Sequence, residues 1–168
     1  VAQVPDDLTG NPQLPHRCVP LVRTRRSCHD GAVTSQPIAP LADDSRCPCG
    51  TGDTYGVCCA RFHREEAYAP TAERLMRSRY SAFVVGHEPY LLRTWHPTTR
   101  PHALDLDPGT RWLGLDVLDT HGGGLLDASG TVRFRAHYVL DGVRGDQTEL
   151  SRFARDAGAW SYVDGQVG

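Results

Sequence analysis

The sequence predicts an α+β fold in which two helices precede an antiparallel meander, with a cysteine-rich segment ahead of both. Three observations predict it. Apolar residues recur at helical spacing between Thr71 and Val85, and they alternate at strand spacing after Pro108. Four cysteines crowd between Cys47 and Cys59.

Residues 1–44 are rich in Pro, Arg and polar side chains and hold no sustained periodicity. Such a stretch buries too little apolar surface to offset its ordering entropy, so it reads as a disordered or non-native leader. Val1 to Leu14 lack a basic start and an apolar run, and are not read as a secretory signal. The sole methionine is Met76, and Val33 is the expected true start of translation. Within the leader, His16, Cys18, Cys28 and His29 can be drawn as a second metal-ligating set.

Residues 45–63 form the cysteine-rich unit. Cys47, Cys49, Cys58 and Cys59 are two close pairs separated by a short glycine-bearing turn. Zinc takes four sulfur or imidazole ligands in a tetrahedron with sulfur about 2.3 Å away, and this spacing supplies the shell from little chain. Gly50 and Gly52 let the backbone turn tightly beside the metal. A disulfide framework is disfavoured, because vicinal Cys58 and Cys59 would close a strained ring. A redox or nucleophilic cysteine is the other alternative, and His63 is a spare ligand. Four protein ligands leave no open position, so the metal would be structural.

The next helix is expected over Thr71–Val85, with Thr71 as N-cap, Glu73 in the first turn and Gly86 just past the end. Met76, Tyr80, Phe83 and Val84 give its apolar face. A second, short helix should begin at Pro89 and stop before Pro97, with Leu91, Leu92 and Trp95 inward.

Strands follow. Leu113, Leu115 and Val117 alternate with Trp112, Gly114 and Asp116, and His121 to Gly124 turn the chain. Val132 to Leu140 make the second strand, Gln147 to Arg155 the third, and Trp160 and Tyr162 mark the last. Pairing Leu140 with Gln147 would set Tyr138 opposite Glu149 and Phe134 opposite Phe153. Pairing Asp156 with Ala159 would set Phe153 opposite Tyr162. One sheet face is then aromatic, with Glu149 and Ser151 embedded in it, and the other carries Arg133, Arg135, His137 and Arg152. A carboxylate among aromatics suits acid–base chemistry in a pocket, which makes Glu149, with Tyr138 or His96, the candidate catalytic set. A hydrogen-bonded structural Glu is the favoured alternative.

The bulk numbers exclude some classes. At 168 residues the chain can hold one domain and a small appendage. A net charge of -2 gives no reason to expect nucleic acid or an acidic membrane surface as partner. The longest compact apolar run, Ala82 to Val85, is far too short for a membrane span. A cytoplasmic location is the default expectation.

The turn Cys47-Pro48-Cys49-Gly50-Thr51-Gly52 leading to Cys58-Cys59 resembles the SEC-C motif, known from the tail of a bacterial protein-translocation motor. Asp53 stands where that motif usually has Lys, which leaves metal binding intact and removes a basic contact. Leu75 to Phe83, Thr94-Trp95-His96-Pro97, Glu149 to Phe153 and Gly158 to Gly165 extend the resemblance to YchJ-type proteins over about residues 45–165. The resemblance implies a cone-like domain, similar to nuclear transport factor two, over residues 70–165, in which a curved antiparallel sheet wraps on helices. It also implies zinc in the knuckle, and docking of the knuckle on a protein partner of the secretion-chaperone or ribosomal kind. A small-molecule enzyme (isomerase, dehydratase or hydrolase) using a pocket in the cone is the alternative function.

Overall fold

The computed structural model describes residues 40–168. Residues 1–39, with Val33 and the His16, Cys18, Cys28 and His29 set, lie outside the described residues.

The cysteine unit opens on a bridge between Arg46 and Thr54. It continues through a wide helical turn, Gly56–Ala60, in which the Ala60 N–H reaches back five residues to the Tyr55 carbonyl at 3.0 Å. The short helix α1, Arg61–His63, follows directly. Helix α2 spans Ala72–Val84, and the Thr71 hydroxyl accepts the Arg74 N–H at 3.1 Å, the expected cap. Helix α3, Glu88–Arg93, starts one residue earlier than expected because His87 Nδ1 accepts the Tyr90 N–H. It also ends sooner. Residues 94–96 leave the helix to pair with the sheet edge, the Tyr162 N–H donating to Thr94 O at 2.9 Å and the His96 N–H to Tyr162 O at 2.7 Å.

Strands β1 (Arg111–Gly122), β2 (Ser129–Leu140), β3 (Val143–Asp156) and β4 (Ala159–Val167) form one antiparallel sheet in sequence order. The β3–β4 register is the expected one, with Phe153 opposite Tyr162 and Arg155 opposite Trp160. The β2–β3 register is not. Leu140 pairs with Val143, which places Phe134, not Tyr138, opposite Glu149, and Tyr138 opposite Gly145. The turn is shorter than expected because Asp141 (φ 52°) and Gly142 (φ 77°) both take left-handed conformations, those of a two-residue hairpin turn whose twist matches the strands. The β1 alternation is corrected as well. Register shifts at Leu113 and Leu118 turn both leucines outward and carry Trp112 onto the inner face, against Tyr80 and Phe83.

The inner face packs on α2, and the core joins Leu75, Met76 and Tyr80 of that helix to Val132, Phe134, Ala136, Phe153 and Trp160 of the sheet. Arg133, Arg135 and Arg152 stay exposed on the opposite face. No helix among the described residues is long and apolar enough to cross a membrane.

Candidate metal centre and the cavity beside it

Each sulfur of the cysteine unit is positioned by local backbone. The Arg46–Thr54 bridge and the Cys47 N–H bond to Asp53 O (2.9 Å) close a hairpin whose tip carries Cys49. Gly50 (φ 81°) takes a left-handed conformation that a side chain would resist, and it turns the chain away from Cys49. The wide turn Gly56–Ala60 then brings Cys58 and Cys59 back as neighbours. All four sulfurs lie within 4.8 Å of one another, with Cys49 to Cys58 at 3.5 Å and Cys58 to Cys59 at 3.8 Å. A tetrahedron with arms of about 2.3 Å has edges of about 3.8 Å, so this arrangement fits a thiolate-bound metal ion. These separations are far beyond a bond, and all four cysteines are free and buried.

The sulfurs crowd one another's protons. The contact with Cys47 holds the Cys49 thiol well below the ordinary range, while contact with Cys49 pushes Cys47 up to about 11. Contacts with Cys47 and Cys49, then burial, push Cys59 up too. A bound cation relieves this competition, because it lets every thiol ionise. Donors surround the group. Thr51 Oγ1 lies 3.2 Å from Cys58 Sγ, Ser81 Oγ 3.6 Å from Cys47 Sγ, and Arg74 Nη2 3.7 Å from Cys58 Sγ.

His63 is not among the four. Its Nδ1 meets Tyr55 OH at 2.7 Å and its Nε2 donates to Ser78 O at 2.9 Å, which fixes the tautomer and ties the knuckle to α2. The helix answers with a stripe of its own. Arg74, Arg77 and Ser81, spaced i, i+3 and i+7, face the knuckle with their side chains, Ser78 meets it through its backbone carbonyl, and Arg77 donates to Cys49 O at 2.8 Å. These residues were missed as a functional group, although their helical spacing was readable. They sit on the polar side of a helix, a position that by pattern alone belongs to solvent.

The sheet candidates do not converge. Glu149 is buried, and its Oε1 accepts from Ser151 Oγ at 2.6 Å and Tyr162 OH at 3.1 Å, with Gln147 Nε2 3.4 Å from Oε2. Gly165 on the neighbouring strand makes room for this carboxyl, which a Cβ there would overlap. Tyr138 lies elsewhere, its ring over Gly145 and edge-on to Trp112. His96 sits at the surface, bonded to Thr98 Oγ1 at 2.7 Å. Of the three, only Glu149 lines the cavity between α2 and the sheet, together with Arg79, Tyr80, Phe83, Trp95, Phe134 and Tyr162.

Arg79, unforeseen in the sequence, is the other ionisable wall of that cavity. It is 4% exposed, and its Nη1 donates to Leu91 O and Thr94 Oγ1, both at 2.7 Å. The guanidinium carbon lies 5.2 Å from the Trp95 ring centre and 4.6 Å from that of Tyr162. Burial lowers its pKa to about 10, so it stays charged at neutral pH. A charge placed mid-helix, next to Tyr80, gave no signal that it would point inward.

Comparison with known proteins agrees with this architecture. Residues 71–165 match the family described as YchJ, middle NTF2-like domain, and residues 45–61 match the SEC-C motif. A UPF0225 protein of Streptomyces coelicolor is 58% identical over 120 residues, covering 71% of this chain and 94% of that protein. One of Corynebacterium glutamicum is 56% identical over 124 residues, covering 73% and 97%. The solution structure of a SEC-C motif containing protein from Rhodopseudomonas palustris superposes with a TM-score of 0.63 at 30% identity, over 72% of this chain and 97% of that one. A crystal structure of a SEC-C motif containing protein from Psychrobacter arcticus gives a TM-score of 0.60 at 28% identity, over 73% and 82%. With its SEC-C knuckle set against an NTF2-like sheet and helices, the chain belongs to the YchJ-type family of UPF0225 proteins.

Proposed function

We propose that this protein is a cytoplasmic accessory factor whose knuckle holds one structural zinc ion and docks on a macromolecular partner. The observation that carries the reading is the closed set of four buried sulfurs, which leaves a bound metal no position for substrate. The knuckle turns the other way as well: Gly52, Asp53, Thr54 and Val57 are exposed, and Val57 is an apolar side chain at 69% exposure. An all-thiolate tetrahedron also suits iron, so metal analysis must come first. The expected result is one zinc per chain and no visible absorbance; freshly purified, reduced protein without zinc would falsify the metal assignment. Docking is tested with Val57→Asp, which leaves the sulfurs in place. Loss of a specific partner, with zinc content and melting temperature unchanged, supports the docking surface; an undiminished partner sinks it.

A second reading, a small-molecule enzyme in the cone, has Glu149 in the cavity in its favour. Of the three candidates, Tyr138 and His96 do not line that cavity, so a catalytic step there would rest on Glu149 among them as acid or base. Turnover by the wild type and not by Glu149→Gln, for a ligand that both bind, is the result that would establish it.

A further inference from the structure

From the cavity's two facing ionisable groups we infer that it binds a small zwitterion of the α-amino-acid type, with Arg79 and Trp95 taking the carboxylate and Glu149 the ammonium. The inference is independent of the knuckle. Arg79 and Glu149 both line the same cavity and are 4% and 5% exposed, yet no ion pair joins them among the described residues. A buried guanidinium is ordinarily matched by an anion. Here, among the described residues, Nη1 is satisfied by a carbonyl and a hydroxyl, and the two flanking rings hold the guanidinium in place. A second donor stands beside it. Trp95 lines the cavity, and its Nε1 is the buried side-chain polar atom left without a partner among the described residues.

On the acceptor side, Glu149 Oε1 is occupied by Ser151 and Tyr162, whereas Oε2 has only the long 3.4 Å approach of Gln147. The site therefore offers donors on one wall and a carboxyl acceptor on another. A lone carboxylate on Arg79 would face Glu149, and a lone amine on Glu149 would face Arg79; a molecule carrying both groups answers both walls. Size narrows the class. The cavity has about 30 Å³ of room, where one water needs about 10–15 Å³, so it holds about two to three waters and its occupant is no larger than a small amino acid whose charged groups replace them. Phe83, Trp95 and Tyr162 are only partly buried and form the rim, through which a side chain longer than a methyl would extend.

The test titrates glycine and L-alanine into the full chain with its metal bound, against acetate, methylammonium and acetamide as single-group probes, each up to about 10 mM. The readouts are melting temperature and the Trp95 indole N–H resonance, assigned by its loss in Trp95→Phe. The expected result is a raised melting temperature and a moved Trp95 resonance with the amino acids, and neither with the three probes. Glu149→Gln should weaken amino-acid binding at least about tenfold while the fold is kept. Acetate or acetamide binding as well as glycine would overturn the zwitterion, as would no binding by any of them. The wild-type titration decides the matter even if Glu149→Gln fails to fold.

Discussion

The knuckle and the sheet domain are stabilised by opposite means, and helix α2 serves both. The knuckle's buried cluster is four cysteines with Tyr55 and Ala60, a core too small to hold its chain without further help. The sheet domain buries a continuous set of aliphatic and aromatic side chains from every strand and from α2 and α3. One side of α2 presents Leu75, Met76 and Tyr80 to the sheet, and the other presents Arg74, Arg77 and Ser81, with the Ser78 carbonyl, to the knuckle. Polar residues on a helix therefore need not mark a solvent face. Here they are the seat of a second unit.

The comparison breaks most sharply at the metal. Apparent binding free energies of structural zinc are about 10–16 kcal/mol, so Cys47→Ser, Cys58→Ser or a strong chelator should release the ion and unfold the knuckle. The sheet should remain folded, with far-UV circular dichroism little changed. Its melting temperature should fall, because the Tyr55–His63 and His63–Ser78 bonds and the packing of Val85 on the cysteine cluster are lost. Cooperative collapse of the whole chain on chelation would show that there is only one core. The reverse experiment is Phe134→Ala, at a side chain 1% exposed in the sheet. It should cost about 3–5 kcal/mol in denaturant unfolding and leave the metal content at one per chain.

How far the sequence shows this division depends on whether local chemistry or tertiary packing makes the choice. Thr71, Gly86 and the cysteine turn were legible because caps, left-handed glycines and ligand spacing act within a few residues. The facing of β2 and β3 was legible even though their register was misjudged. Pairing Leu140 with Val143 instead of Gln147 slides the strand by an even number of residues, which keeps Phe134, Glu149 and Ser151 on the inner side. The outward turn of Leu113 was not legible, because a bulge that brings Trp112 onto Tyr80 is chosen by the helix lying opposite. Nor was the cavity: Arg79 and Glu149 are 70 residues apart and meet only through the sheet.

The junction between the two regions can be loosened by acid. His63 is buried beside His87, Arg93 and Arg64, and desolvation first, then repulsion from those groups, lowers its pKa from 6.5 to about 4, against the raising effect of Ser78 O. The unfolded chain therefore takes up the proton first. Stability is full above about pH 6.5 and falls by about 1.4 kcal/mol per unit as pH drops toward 4. Protonation would place a hydrogen on Nδ1, where Tyr55 OH now donates. Urea unfolding of wild type and His63→Gln at pH 7.5, 6.5 and 5.5 separates this from acid loss of the metal, which both proteins share. An equal slope in the two proteins would remove His63 as the cause.

The smallest effect belongs to the sheet's outer face and has the opposite sign. His137 stands between two carboxylates, with Nε2 2.8 Å from Asp116 Oδ2 and Nδ1 2.5 Å from Asp146 Oδ1. Both ring nitrogens must donate, which favours the imidazolium, and the bond to Asp116, then that to Asp146, raises the pKa above 6.5. With the folded value raised, the contribution is fully present below pH 6.5 and is lost as pH climbs through the folded pKa. The site is solvent-screened, so the effect is small and weakens with salt. His137→Gln keeps hydrogen-bonding ability and loses the charge. Its melting temperature should lie below wild type at pH 5.5 and converge with it at pH 9. Because both proteins carry His63, the acid loss at the junction cancels in the difference, and a gap that widens with rising pH would refute the ion-pair account.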